Sequence, residues 1–232
     1  MPSLPPAIDL DVHRRGSGPP LFALHDLGHD GVSLLDALGE LSRDHEIVAP
    51  DLRGHGLSPT PSGPWSIDDF SSDVARLIQA EGAPLPLVGV GLGAAAALAL
   101  ALGHPGLVSG LVLSGLGPRA EDADGHDRWT RTARALRGRG GSEGVALSLE
   151  AMATRPDWRG ALAQVQAPVI VLAGEADRAV PASTQRELSL WIQGARFRAV
   201  PEAGHDVPRD RPGELVGAVR RLWMPASQPL AA

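Results

Sequence analysis

The stretch Pro86-Leu87-Val88-Gly89-Val90-Gly91-Leu92-Gly93, followed by an alanine- and leucine-rich run over residues 94–102, sets the architecture of this chain. A short apolar run that ends in turn residues predicts a buried strand. The Ala/Leu run has strongly helix-forming composition and predicts a helix. The three glycines between them therefore mark a very tight turn that joins a strand directly to a helix.

A strand, a tight turn and a helix in immediate succession form the context of the nucleophile elbow, whose usual motif is Gly-x-Ser-x-Gly. Here the middle position of the motif is Gly91. The elbow holds its central residue in a strained backbone conformation, which costs a non-glycine residue about 1–3 kcal/mol and costs glycine little. The sequence therefore predicts the backbone of an elbow without its serine nucleophile.

The composition restricts the chemistry that the chain can perform. Its 232 residues contain no Cys, Lys, Tyr or Asn, so all 21 basic residues are Arg. A thiolate nucleophile, a Schiff-base lysine and a tyrosine acid are therefore excluded, and proton transfer falls to His, Asp, Glu, Ser, Thr, backbone or water. The net charge of −6 disfavours nucleic acid as a partner.

The chain has no predicted membrane anchor or leader. No apolar run reaches 18 residues without Gly or Pro, which predicts no transmembrane helix and no membrane partner. The first six residues lack the basic and apolar regions of a signal peptide. We therefore expect a cytoplasmic protein.

Apolar periodicity along the chain predicts an α/β fold. Predicted strands alternate with predicted helices, which favours a mostly parallel sheet with helices on both faces. The predicted strands cover residues 8–13, 20–25, 46–49, 86–90, 111–113, 168–173 and 196–200, and the predicted helices cover residues 32–41, 67–80, 94–102, 182–191 and 212–223. In such a sheet the ligand site lies at the carboxyl ends of the strands.

A polar, Arg- and Gly-rich segment over residues 118–163 interrupts this alternation. It predicts a small helical lid of two or three helices inserted into the core. We expect the core to comprise residues 1–117 and 164–225, with residues 226–232 as a loose tail.

Five short motifs fall at or after predicted strand ends, and together they resemble the α/β-hydrolase superfamily over residues 8–223. The motifs are His25-Asp26-Leu27-Gly28, the segment 51–58 (Asp-Leu-Arg-Gly-His-Gly-Leu-Ser), the turn 89–93, Gly174-Glu175-Ala176-Asp177 and Gly204-His205-Asp206. Each motif alone is weak evidence, but all five occur in the right order and spacing.

The resemblance implies a role for each matching position. Asp177 matches the acid of the family's catalytic triad, and His205 matches the base. The backbone N–H groups of Leu27 and Leu92 match the donors of the oxyanion hole. Gly91 matches the nucleophile and departs from the family, so a serine placed there is expected to complete a triad.

A second departure lies beside the oxyanion loop, where Asp26 replaces the glycine that usually follows His25. A carboxylate there opposes the binding of an oxyanion. His25, Asp26, Ser114, Trp129 and Trp158 are the further side chains that we expect near a pocket. Ser114 is a weaker candidate for a displaced nucleophile than for a strand-end hydroxyl, and both tryptophans are candidates for packing the lid onto the core.

No metal or other cofactor is expected. His25 and His29 have a spacing that suits metal binding on a helix, but they fall in a predicted loop. The partner is expected to be a small molecule that contains a carbonyl group.

Two hypotheses about function remain open. In the first, the chain is an enzyme that uses a His205–Asp177 dyad and the oxyanion donors without a covalent intermediate, as in a cyclase, lyase, eliminase or epimerase, or for direct attack by water. In the second, it is a non-catalytic pseudo-hydrolase that binds a ligand or a protein. The sequence predicts neither the substrate nor the oligomeric state.

Overall fold

The computed structural model describes residues 7–222, so the predicted tail lies outside the described residues. Seven strands form one sheet in the order β1-β3-β2-β4-β5-β6-β7. Only β1 is antiparallel to its neighbour among them, which confirms the predicted α/β fold with a mostly parallel sheet. The strands are β1 (Val12–Gly16), β2 (Pro20–Leu24), β3 (Glu46–Pro50), β4 (Leu85–Val90), β5 (Val108–Ser114), β6 (Val169–Gly174) and β7 (Arg196–Val200).

Helices cover both faces of the sheet. The helices are α1 (Gly31–Ala37), α2 (Ile67–Glu81), α3 (Leu92–Gly103), α4 (Ala123–Gly138), α5 (Glu143–Ala153), α6 (Ala182–Trp191), α7 (Val207–Asp210) and α8 (Pro212–Leu222). One apolar cluster joins α1 and α8 to one face, and a second joins α2, α3 and α6 to the other. Within residues 7–222, no helix combines the length and apolar character that a membrane span requires.

The first strand differs from its prediction, because β1 begins at Val12 rather than at residue 8. Side chains from elsewhere bind the backbone that precedes it. The backbone N–H of Ile8 donates to the Asp73 carboxylate at 2.8 Å, and that of Asp11 donates to the Ser58 hydroxyl at 2.8 Å. Both donors are therefore satisfied without a strand ladder in this segment.

The turn between β4 and α3 has the tight geometry that the sequence predicts. Gly91 adopts φ 51° and ψ −110°, and α3 begins at the next residue. The backbone N–H of Gly91 donates to the carbonyl of Ser114 at 2.9 Å, which fixes the turn to the end of the neighbouring strand β5. A positive φ of this size favours glycine over residues with a side chain.

The sheet reverses its direction of winding between β2 and β4, which are adjacent although β3 separates them in the chain. Crevices at such a switch point are the usual ligand sites of open parallel sheets. The loop that begins at Asp26 and the turn at Gly91 follow these two strands, so the fold brings them together.

Helices α4 and α5 lie between β5 and β6 in the chain, and α5 approaches the segment 51–65 closely. At Gly144 of α5, an ideal Cβ would lie 2.1 Å from the carbonyl oxygen of Gly54. The ends of the 118–163 segment are joined by a hydrogen bond from the backbone N–H of Trp158 to the carbonyl of Pro118, 3.0 Å long.

The variant Gly144→Ala is expected to loosen this contact, because the new Cβ has no room beside Gly54. Overpacking of this kind costs about 1–3 kcal/mol, so the urea midpoint of unfolding should fall. Gly138→Ala is the matched control, since nothing lies within 4 Å of a Cβ at that position. Equal midpoints for the two variants would contradict the close approach.

Candidate functional site

His205 and Asp177 lie in the loops that follow the neighbouring strands β7 and β6, and the structure brings their side chains together. His205 Nδ1 lies 2.9 Å from Asp177 Oδ2. The other carboxylate oxygen accepts hydrogen bonds from the backbone N–H groups of Ala179 and Val180, and the Gln185 amide donates to Oδ2 at 2.9 Å. These donors fix the orientation of the carboxylate.

The environment of Asp177 favours its charged form. Burial by itself raises the pKa of the carboxyl, but the hydrogen bonds from His205, Val180 and Ala179 outweigh burial and hold the pKa below its usual value. Asp177 is therefore ionised at neutral pH and oriented toward the imidazole.

The Asp26 carboxylate occupies the volume that a side chain at position 91 would fill. An ideal Cβ on Gly91 would lie 1.7 Å from Asp26 Oδ1 and 2.2 Å from its Cγ. The same Oδ1 accepts hydrogen bonds from the backbone N–H groups of Leu27 at 2.7 Å and Leu92 at 2.9 Å. Oδ2 lies 3.2 Å from His205 Nε2. The two expected oxyanion donors are thus already bound to an anion of the chain itself.

Two carboxylates therefore flank His205, one at each ring nitrogen. The hydrogen bonds to Asp177 and Asp26 raise the pKa of His205 to about 10, although burial opposes the shift. The imidazole is consequently protonated at neutral pH. In this state the ring is an acid and an ion-pair partner, and its role as a base stays a prediction. The hydrogen bonds from His205 and Leu92 in turn keep the pKa of Asp26 below its usual value, against the effect of burial.

His25 fixes the loop that carries Asp26. Its Nδ1–H donates to the carbonyl of Asp26 at 2.7 Å, and its Nε2 accepts from the backbone N–H of Leu52 at 2.9 Å. Burial lowers the pKa of His25 to about 4, so the ring is neutral. It is fully buried, and its place is behind the site rather than in a pocket.

The other expected pocket residues, Ser114, Trp129 and Trp158, are buried or partly buried. Ser114 is buried, and its hydroxyl has no hydrogen-bond partner among residues 7–222, so no base is placed to activate it. Trp158 is buried in the core cluster, and Trp129 packs partly buried against the same cluster. None of these three side chains lines the cavity beside Asp26, and a pocket formed by them stays a prediction.

That cavity has a volume of about 430 Å³ and opens between α1 and α7. Asp26 is the one expected site residue in its wall. The remaining lining residues are His29, Ser33, Leu34, Asp36, Ala37, Val90, Asp206, Pro208, Arg209 and Pro212. A ligand in this cavity would meet the Asp26 carboxylate before it met His205.

The sequence alone did not assign four charged or titratable members of this wall to the site, namely His29, Asp36, Asp206 and Arg209. Closeness in sequence to the expected site residues could have identified three of them. His29 lies three residues after Asp26, whereas Asp206 and Arg209 lie one and four residues after His205. The Asp206 carboxylate caps α7 by accepting from the backbone N–H of Arg209 at 3.2 Å.

A second group of titratable side chains is formed by Asp11, His13 and Asp51, whose ligand atoms lie within 4.8 Å of one another. The Asp51 carboxylate accepts hydrogen bonds from the backbone N–H groups of Gly31 and Leu57, both at 2.8 Å, and its Oδ1 lies 3.1 Å from His13 Nε2. These bonds account for the arrangement without a metal.

The geometry changes the expected effect of a serine at position 91. Gly91→Ser alone should be destabilised by the returned backbone strain, about 1–3 kcal/mol, and by the clash with Asp26, also about 1–3 kcal/mol. The double variant Gly91→Ser/Asp26→Gly removes the clash and frees the donors at Leu27 and Leu92. It should therefore regain the stability that the clash costs but not the stability that the backbone strain costs.

We expect a fluorophosphonate probe to label the double variant at the introduced serine and to leave the unchanged protein unlabelled, because only the variant places a hydroxyl beside His205. The readouts are intact mass after labelling and the free energy of unfolding in urea. Labelling of the unchanged chain at any serine would contradict the proposed absence of an activated nucleophile.

The ion pairs of His205 predict a pH dependence of stability. Its pKa rises from 6.5 to about 10 on folding, so its stabilisation is complete below pH 6.5 and is lost as the pH rises toward 10. The pKa values of Asp26 and Asp177 fall on folding, so their stabilisation is present above the ordinary value of 3.8 and is lost at lower pH.

We therefore expect the loss of unfolding free energy in His205→Gln to be largest between about pH 4 and 6.5 and to shrink toward pH 10. Urea unfolding across this range measures it. His126→Gln, at an exposed position of α4, is the control and should show no such trend. A pH-independent loss in His205→Gln would contradict a protonated His205.

Comparisons with known proteins agree with this architecture. Among curated proteins, 2-(acetamidomethylene)succinate hydrolase of Mesorhizobium japonicum is 33% identical over 72 residues, which are 31% of this chain and 26% of that protein. Lipase LipV of Mycobacterium tuberculosis is 39% identical over 109 residues, which are 46% of this chain and 41% of that protein. The matches thus span less than half the length of these relatives.

Among solved structures, a thermophilic esterase from Thermogutta terrifontis superposes with a TM-score of 0.86 at 24% identity. The match covers 91% of this chain and 92% of the esterase, and it concerns the fold alone. A sequence model described as the alpha/beta hydrolase family matches residues 16–218. Since this match includes most of the chain, the protein belongs to the alpha/beta hydrolase family.

Proposed function

We propose that this chain is a cofactor-independent enzyme of the family that works without a serine nucleophile, through acid/base chemistry at His205 on a small carbonyl-containing substrate. The observation that carries the proposal is the position of the imidazole. Nδ1 is held by Asp177 at 2.9 Å, and Nε2 faces the volume over Gly91 that Asp26 now fills. A proton-transfer group and two backbone donors converge on one small space.

The chemistry follows from what this space offers. A substrate carbonyl that replaced the Asp26 carboxylate would accept hydrogen bonds from the backbone N–H groups of Leu27 and Leu92, where negative charge develops in an enolate or alkoxide. His205 would lose one of its two carboxylate neighbours, and its pKa would fall toward the range in which an imidazole exchanges protons at neutral pH. Reactions of the lyase, cyclase, eliminase or epimerase type fit this arrangement, as does direct attack by water.

The relatives support the substrate class. The names of the Mesorhizobium hydrolase and the mycobacterial lipase both describe hydrolysis, and the first names a small acid that contains an amide. We assign the 118–163 segment as a lid in this scheme, because Leu27 packs against the apolar cluster that its helices form.

One observation favours a non-catalytic binding protein as the second candidate. Asp26, His205 and Asp177 satisfy one another, and both oxyanion donors are occupied. A chain that uses the site only as a scaffold has no need to open it.

Proton exchange at carbon distinguishes the two candidates without knowledge of the substrate. The purified protein is incubated in D₂O with a panel of small ketones, 2-oxo acids and lactones, and deuterium incorporation beside the carbonyl is followed by NMR. We expect exchange of at least one panel member, reduced about 10²–10⁴-fold in His205→Gln because positioned acid/base groups contribute that much. His126→Gln is the control and should behave as the unchanged protein. Equal exchange by the His205 variant and the unchanged protein across the panel would favour the binding protein.

A further inference from the structure

We propose that the backbone N–H groups of Leu27 and Leu92 together with the His205 imidazole form a binding site for the carboxylate group of a small-molecule ligand, and that Asp26 is a tethered occupant which this ligand displaces. Three donors reach the Asp26 carboxylate, two at Oδ1 (2.7 and 2.9 Å) and one at Oδ2 (3.2 Å). The inference concerns binding alone and requires no turnover.

The donor arrangement selects a carboxylate over a neutral carbonyl compound. A carboxylate supplies one oxygen to the paired backbone donors and the second to the imidazolium. Hydrogen bonds to charged partners are roughly twice as strong as those between neutral groups. Leu92 is also the first residue of α3, a helix of 12 residues, whose N-terminus adds a favourable field for an anion. A neutral amide of the same shape satisfies the backbone donors but leaves His205 without the second anion.

The cavity between α1 and α7 can accept the Asp26 side chain once a ligand has displaced it. Its wall contains Asp26 itself together with His29 and Arg209. Among the residues that the structure describes, Arg209 has no ion-pair partner within 4.0 Å, whereas Asp36 in the same wall is paired with Arg15. An Asp26 side chain that rotated into the cavity would therefore leave the charged His205 and approach the charged Arg209.

The acids of this wall act against the rotation. Asp36 and Asp206 face the same cavity, although Asp36 is paired with Arg15 and Asp206 caps α7. The exchange thus needs a ligand whose own carboxylate replaces the contacts that Asp26 loses. Because a tethered group has an effective concentration on the order of millimolar or more, a free monocarboxylate should bind the unchanged protein weakly.

The test uses acetate as the probe and the His205 ring as the reporter. In Asp26→Ala the proposed carboxylate site has no occupant from the chain itself. NMR of the labelled imidazole should then show the His205 pKa lowered by about one unit or more. Acetate should bind this variant saturably and raise the pKa again, and acetamide at equal concentration should not. The unchanged protein should bind acetate about tenfold more weakly or worse. Asp127→Ala, which removes the same charge at an exposed position, should match the unchanged protein.

Asp26→Asn provides the second variant, because it keeps the volume of the side chain and removes its charge. In this variant the His205 pKa should fall, and acetate should not change that pKa, because the introduced amide still fills the carboxylate site. The inference is overturned if folded Asp26→Ala binds no acetate, if acetate and acetamide bind it alike, or if the His205 pKa stays the same in Asp26→Asn. None of these measurements depends on turnover. Acetate binding in the absence of carbon–deuterium exchange would therefore favour the binding protein over the proposed enzyme and still support the carboxylate site.

Discussion

The contact between the Asp26 carboxylate and the backbone of Gly91 governs the rest of the site. The carboxylate fits because Gly91 has no Cβ, and an ideal Cβ there would lie 1.7 Å from Oδ1. Gly91 and Asp26 are therefore two parts of one physical arrangement. Glycine at the elbow creates a space of side-chain size, and aspartate on the opposite loop fills it with an anion that the Leu27 and Leu92 N–H groups bind.

The same anion sets the protonation state of His205. An imidazole with one carboxylate neighbour is suited to exchange protons near neutral pH, whereas a second carboxylate at 3.2 Å contributes to a pKa of about 10. Breaking such a partly buried pair leaves an uncompensated charge, which is costly. The proposed enzyme therefore depends on whether a ligand replaces the Asp26 carboxylate.

The scaffold makes this contact possible by the order of its strands. The Asp26 loop and the Gly91 turn follow β2 and β4, which are neighbours at the reversal of the sheet. His25 then fixes the Asp26 peptide by bridging it to Leu52, so the carboxylate is directed at the elbow by a buried and neutral ring. The position of the Asp26 backbone thus depends on hydrogen bonds that do not involve the charge of its carboxylate.

The sequence by itself determined the α/β architecture, the elbow at Gly91 and the strand ends that carry Asp177 and His205, because apolar periodicity and turn glycines act locally. It misplaced the start of β1, where side chains from Asp73 and Ser58 bind the backbone. Only the tertiary structure decided that the Asp26 carboxylate binds the backbone N–H groups of Leu27 and Leu92, that His205 is charged and that the cavity opens between α1 and α7. The bond from Leu92 to Asp26 joins residues 66 positions apart, and its existence depends on the packing of two loops that local sequence patterns do not encode.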